Sequence, residues 1–113
     1  MGCAISSTAR IGRRLSLPHP IGIVIGNNAV VGNDVTLYQN VTLGSHGKPG
    51  AGQAFPIILD RVRIYAGAVV IGGVTIGEGA TIGANSVVLN DVPAGETVAG
   101  APARPVGNRP GTA

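Results

Sequence analysis

From Ile58 to Pro93 the chain repeats every six residues. The first place of each six holds Ile58, Ile64, Val70, Ile76, Ile82 and Val88, all β-branched aliphatics. The fifth place holds Val62, Ala68, Val74, Ala80, Ser86 and Val92, all small or β-branched. A period of six matches neither the 3.6-residue face of a helix nor the two-residue alternation of a half-buried strand. It predicts a hexapeptide β-helix, in which each six is one short strand plus one corner and three sixes close a triangular coil. First-place side chains are expected to point into the prism and small fifth-place residues to fit its corners. Glycine in second place, at Gly77 and Gly83, is expected to supply turn dihedrals that other residues resist.

The pattern reaches upstream through Ile11 and Leu17, then through Ile25, Val31, Leu37 and Leu43, with Ala29, Val35 and Val41 in the fifth place. Twelve first places predict four coils over 11–93, preceded by a lead-in over 1–10 and followed by a cap and tail over 94–113. Two irregularities break the wall. Between Leu17 and Ile25 the phase slips by two residues, assigned to Ile23 and Val24, directly after Pro18-His19-Pro20. Bulges in repeat walls re-aim side chains. Between Leu43 and Ile58 about nine extra residues form a glycine- and proline-rich loop over 44–56. A loop leaving a regular wall is where solenoids place function.

Composition fits this reading. Hydrophobic residues make up 44% of the 113-residue chain but aromatics only 3%, which a compact core of this size would find hard to use. Stacked coils of Ile, Val and Leu share one continuous core and need no aromatics. The single cysteine, Cys3, rules out an internal disulfide framework and fits a reducing compartment. No run approaches the ~18 apolar residues of a membrane helix. A net charge of +3 is too small and too scattered to argue for nucleic acid. Met1-Gly2 with Ser6 matches an N-myristoylation pattern, read here as a chance match running straight into the repeat.

Little in the chain offers chemistry. His19 lies between two prolines, which remove backbone donors and stiffen the segment, so the direction of its imidazole is restricted. His46 lies in the glycine-rich loop, where a solvated polar residue is the plain reading. Two histidines and one cysteine near a terminus do not supply the three-histidine zinc site that some β-helical enzymes carry. No Gly-x-Ser-x-Gly nucleophile elbow is present.

Several motifs, in order, resemble the catalytic half of serine acetyltransferases. They are Leu17-Pro18-His19-Pro20-Ile21-Gly22, Gln39-Asn40-Val41-Thr42-Leu43-Gly44, Gly47-Lys48, Ile82-Gly83-Ala84-Asn85-Ser86-Val87-Val88-Leu89 and Gly100-Ala101-Pro102-Ala103-Arg104. The likeness runs from about Ile11 to Gly107, and the Pro-His-Pro form resembles the shorter members found with exopolysaccharide biosynthesis. It implies a left-handed parallel β-helix, a homotrimer, a cytoplasmic location, and an acetyl-CoA-dependent O-acetyltransferase without a metal. It puts the general base on His19 and the CoA groove on Ser45, His46, Lys48, Ala66, Gly67, Gly83 and Ala84, with Lys48 and Arg104 toward phosphates. It also exposes departures. The carboxylate that partners the base falls at Ala4, the acidic residue before it at Pro18, and the acceptor-side Arg-His pair at Ala54 and Phe55. The N-terminal helical domain of that family has no counterpart in the sequence. The donor side therefore matches and the acceptor side is stripped, leaving serine and a sugar hydroxyl both open as acceptors. A catalytically degenerate β-helical subunit with an assembly role is the rival reading.

Overall fold

The computed structural model describes residues 2–45 and 54–106. Every regular element there is a strand of two or three residues. Sheet I comprises β1 (Ala4–Ile5), β3 (Val24–Ile25), β6 (Thr42–Gly44), β9 (Val69–Ile71) and β12 (Val87–Val88). Sheet II comprises β2 (Arg10–Ile11), β4 (Val30–Val31), β7 (Ile57–Ile58) and β10 (Thr75–Ile76). Sheet III comprises β5 (Thr36–Leu37), β8 (Arg63–Ile64), β11 (Thr81–Ile82), β13 (Thr97–Ala99) and β14 (Arg104–Pro105). All strand pairs are parallel except β13 with β14. The chain visits I, II and III in turn, a single left-handed parallel β-helix.

The six-residue register decides what is inside. From Ile25 to Val88 every first-place side chain is buried to 2% exposure or less. The fifth-place residues from Ala29 to Ser86 are buried as well. Each fully buried Ile, Leu or Val contributes about 1.5–3 kcal/mol through the hydrophobic effect, and the layers form one continuous core.

Glycine does a different job from the one expected at second place. Gly77 and Gly83 do not have positive φ. The left-handed residues fall mostly in fourth place instead: Arg14, Asn28, Asp34, Asn40, Arg61 and Asn85 at φ 57–62°, Gly67 and Gly79 at φ 75° and 73°, with Gly72 in third place at φ 90° an exception. Asn, Asp and Gly tolerate that region best. In second place, Gly12, Gly32 and Gly77 are required by the closeness of the next coil. A Cβ on Gly77 would stand 2.7 Å from the Ala94 Cα and 2.8 Å from the Pro93 carbonyl carbon.

The ladder also begins earlier than the first six read at Ile11. Ala4 pairs with Val24, Arg10 with Val30 and Ser16 with Thr36, so Ile5 opens a further coil. At the other end, Thr97 of β13 pairs with Thr81. The described residues thus make five coils rather than four. The first coil stacks on one side only, which leaves Ile5 43% and Ile11 38% exposed.

Two departures from register shape the wall. Coil one meets coil two at a step of twenty residues, whereas Val24 meets Thr42 at a step of eighteen. The extra two residues are not Ile23 and Val24. Ile23 is fully buried, in the ordinary fifth place, and Gly22 has the fourth-place φ of 68°. Asn40 N–H donates to the Ile21 carbonyl at 2.9 Å as Gly67 N–H donates to Gln39 at 3.0 Å, which puts Ile21 in third place. The bulge is therefore Pro18-His19-Pro20 itself. Near the C-terminal end the wall shortens by two. Val92 bridges Ile76, so it takes a first place rather than a fifth. The Thr75 N–H, deprived of its usual backbone carbonyl, donates to the Asp91 carboxylate at 2.8 Å.

Candidate functional site

The corner where sheet III turns into sheet I carries one short segment from each coil. From the N-terminal end these are Pro18–Gly22, Tyr38–Asn40, Tyr65–Gly67, Gly83–Asn85 and Gly100–Ala103. Backbone bonds tie successive segments: Asn40 N–H to Ile21 at 2.9 Å, Gly67 N–H to Gln39 at 3.0 Å, Asn85 N–H to Ala66 at 2.8 Å and Val87 N–H to Gly100 at 2.9 Å. Ser86, the one buried polar residue among the described residues, accepts the Gly100 N–H at 3.1 Å and anchors the last segment. At two levels the packing requires glycine, because a Cβ on Gly22 or Gly67 would overlap the Asn40 or Asn85 carboxamide.

Five residues singled out in the sequence therefore share this edge: His19 in coil one, Ala66 and Gly67 in coil three, Gly83 and Ala84 in coil four. Strands stack about 4.8 Å apart, so the edge runs about 14 Å from Ala84 to His19. Arg104 follows the last segment, in β14, which pairs with β13 through Ala99. Ser45 stands elsewhere, at the end of β6 where sheet I turns toward sheet II. His46 and Lys48 lie outside the described residues.

The imidazole of His19 is exposed. Its backbone carbonyl accepts the Ile21 N–H at 2.7 Å, closing a tight turn that fixes the bulge. Pro18 and Pro20 add no backbone donor on either side. None of the five carboxylates of the chain lies on this edge. Asp34, Asp60, Glu78 and Glu96 sit at the corner between sheets II and III, and Asp91 at that between I and II. Ala4, in β1 beside Val24, adds none. Ala54 and Phe55 precede β7, on the corner between sheets I and II, and Ala54 fills the space over Gly73.

Two features of the edge had no signal in the repeat. Tyr38 and Tyr65 stack in adjacent coils, ring centroids 4.8 Å apart and 14° from parallel. Gln39, which follows Tyr38, holds a buried Oε1 with no hydrogen-bond partner among the described residues, an arrangement that costs about 1–3 kcal/mol. On the opposite corner, charges alternate from coil to coil. Arg14 Nε donates to Asp34 at 2.5 Å, and Arg61 pairs with Glu78. The hydrogen bond from Arg14 holds the Asp34 carboxyl below its ordinary range.

The stacked sixes and this edge define the chain as a hexapeptide-repeat β-helix protein. Residues 55–90 match the family model for the bacterial transferase hexapeptide (six repeats). The chain is 50% identical over 105 residues to serine acetyltransferase of Bacillus pumilus (strain SAFR-032), covering 93% of this chain and 48% of the relative. A structure of soybean serine acetyltransferase complexed with serine superposes with TM-score 0.84 at 50% identity, over 88% of this chain and 40% of that one. A serine acetyltransferase in complex with CoA superposes with TM-score 0.83 at 44% identity, over 90% and 41%. Along most of its length the chain is similar to serine acetyltransferases, and it spans about half the length of the curated relatives it matches.

Proposed function

We propose that the protein is an acetyl-CoA-dependent O-acetyltransferase in which His19 is the general base. The observation that carries this reading is the bulge: the wall departs from register at His19, on the edge that also bears Ala66, Gly67, Gly83 and Ala84. The thin pantetheine arm of the donor lies along that edge, where glycine and alanine allow approach to the backbone, and Arg104 meets its phosphates. His19 takes the proton of an acceptor hydroxyl as the oxygen attacks the thioester carbon. The tetrahedral adduct expels the CoA thiolate, which recovers the proton from the imidazolium. The acetyl group passes directly, without an acetyl-enzyme. The likeness to a serine acetyltransferase solved with CoA supports the donor, and the likeness to one solved with serine supports a hydroxyl acceptor.

The assembly that serves this reading is a homotrimer. Ser45 stands at the corner between sheets I and II, one sheet away from His19. The outer side of that intervening sheet carries Val24, Val69, Ile71, Val87 and Leu89, with Val24 39% and Leu89 49% exposed. Packing of copies through this face brings Ser45 of one toward the His19 edge of the next, where a neighbour also supplies the imidazolium with a hydrogen-bond acceptor. No helix in the described residues is long and apolar enough to cross a membrane. The cytoplasm is the site of action that suits a CoA thioester donor.

The test is thiol release from acetyl-CoA over a panel of hydroxyl acceptors, beside sedimentation of the native protein. His19→Ala should lower turnover on the order of 10²-fold or more while calorimetry still shows CoA binding. Mass should fall near three times the 11.2 kDa chain. Near-full turnover in His19→Ala would remove the base from His19. Binding of CoA with transfer to no acceptor would favour a degenerate subunit.

A further inference from the structure

The three outer faces of the prism differ in chemistry. In the sixth-place column sheet I shows Ala4, Val24, Thr42, Val69 and Val87, apolar apart from one threonine. The same column on sheet III shows Ser16, Thr36, Thr81 and Thr97, a line of hydroxyls interrupted by Arg63. Beside it, in second place, stand Tyr38 and Tyr65, their rings stacked on one another. A groove of ≈ 430 Å³ opens where this face meets the charged corner between sheets II and III, lined by Thr36 and Arg63 of the face and by Asp34, Arg61 and Gly79 of the corner. That volume lies within the range of ligand pockets, about 300–1,000 Å³. Two of its charges are already neutralised: Asp34 holds Arg14 and Arg61 holds Glu78. Arg63 makes no ion pair among the described residues, so the groove keeps an uncommitted guanidinium next to hydroxyls.

The groove joins the candidate reaction centre along one surface. Thr36 bridges Ser16 directly, and Ser16 stands three residues before His19. One strand spacing plus three extended residues bounds the separation at about 15 Å. The line between them passes Tyr38, the neighbour of Pro18 in the second-place column.

We propose that the outer face of sheet III is the acceptor surface, and that it takes an oligosaccharide bearing a carboxylate. The inference rests on the acetyltransferase reading and names its substrate class. A hydroxyl delivered to His19 while the rest of the acceptor reaches the groove requires an extended molecule. Hydroxyl and phenol groups are donors and acceptors matched to sugar hydroxyls, and Arg63 offers the planar fork that a carboxylate takes in bidentate fashion. Free serine is too short to engage both ends.

Trigalacturonic acid tests the surface, with maltotriose as the neutral counterpart and L-serine as the short one. Arg63→Ala is compared with Arg10→Ala, which lies on sheet II. Expected is binding of trigalacturonic acid to the native protein, acetyl transfer to it in preference to maltotriose, and a tenfold or greater rise in its KM in Arg63→Ala only. A rise in the KM of acetyl-CoA instead would mean that the groove holds a donor phosphate, and the proposal falls. Acetylation of serine with no binding of trigalacturonic acid overturns the proposal while the acetyltransferase reading stands. If acetyl transfer to every acceptor fails, that reading falls. Calorimetry of trigalacturonic acid on native protein and Arg63→Ala then decides the surface alone, and equal affinities reject it.

Discussion

Replacing Gly77 and Gly79 separately by alanine separates the two roles that glycine has in this wall. At Gly77 the added Cβ arrives 2.7 Å from the Ala94 Cα, against a carbon–carbon optimum of about 3.5–4.0 Å. The neighbouring coil must therefore retreat by about an ångström. It is held there by Gly77 N–H to Val92 at 2.7 Å and Gly95 N–H to Glu78 at 2.9 Å. Overpacking costs about 1–3 kcal/mol, and loss of one such bond adds about 0.5–1.5 kcal/mol, so Gly77→Ala should lose about 2–4 kcal/mol. At Gly79 the Cβ meets nothing within 4 Å, but φ is +73°. That conformation costs an L-residue about 1–2 kcal/mol, offset by about 0.4–1 kcal/mol from a stiffer unfolded chain. Gly79→Ala should thus lose about 0–1.6 kcal/mol, and Gly79→Asn less still. At about 4–8 °C per kcal/mol for a chain of this size, thermal unfolding followed by circular dichroism resolves the pair. Protein concentration must be equal throughout, because assembly adds to apparent stability. Equal losses, or a larger loss at Gly79, would refute the assignment of second place to coil spacing and fourth place to turn geometry.

The donor edge and the charged edge each give a further expectation. Ala84→Trp should fold as the native protein does, since Ala84 is exposed, yet lose CoA binding in calorimetry; undiminished binding would move the donor off this edge. Asp34, held low by the hydrogen bond from Arg14, contributes stability that is present above the ordinary carboxylate pKa of about 3.9 and is lost as pH falls through its lower folded value. Urea midpoints at pH 6 and pH 3 should therefore converge in Asp34→Asn relative to the native protein, and an unchanged pH dependence would dismiss the ion pair as a contributor.

Much of the fold was legible because a solenoid is nearly one-dimensional. Each first-place aliphatic meets its counterpart one coil away, so the inside of the prism follows from the period alone. The same period fixed the length of the loop insertion, and the prolines around His19 marked its neighbourhood as unusual. What the period does not carry is the meaning of a break in it. A two-residue slip between Leu17 and Ile25 is compatible with several placements. Only the burial of Ile23 and the backbone bond to Ile21 show that the prolines and His19 are themselves the excursion. Likewise Val92 reads as a fifth-place residue in sequence, and only its bridge to Ile76 gives it a first place. The choice between edges is also tertiary. Ser45 and His19 are equally plausible neighbours of a ligand in a linear reading, yet a full sheet separates them, because the corner on which a residue falls depends on every insertion before it. The hydroxyl column around Arg63 and the Tyr38–Tyr65 stack are assembled from residues about eighteen to twenty-seven apart, spacings set by coil length and loop insertion together. Local pattern decides which side chains face inward; the accumulated count of residues per turn decides which outward ones meet.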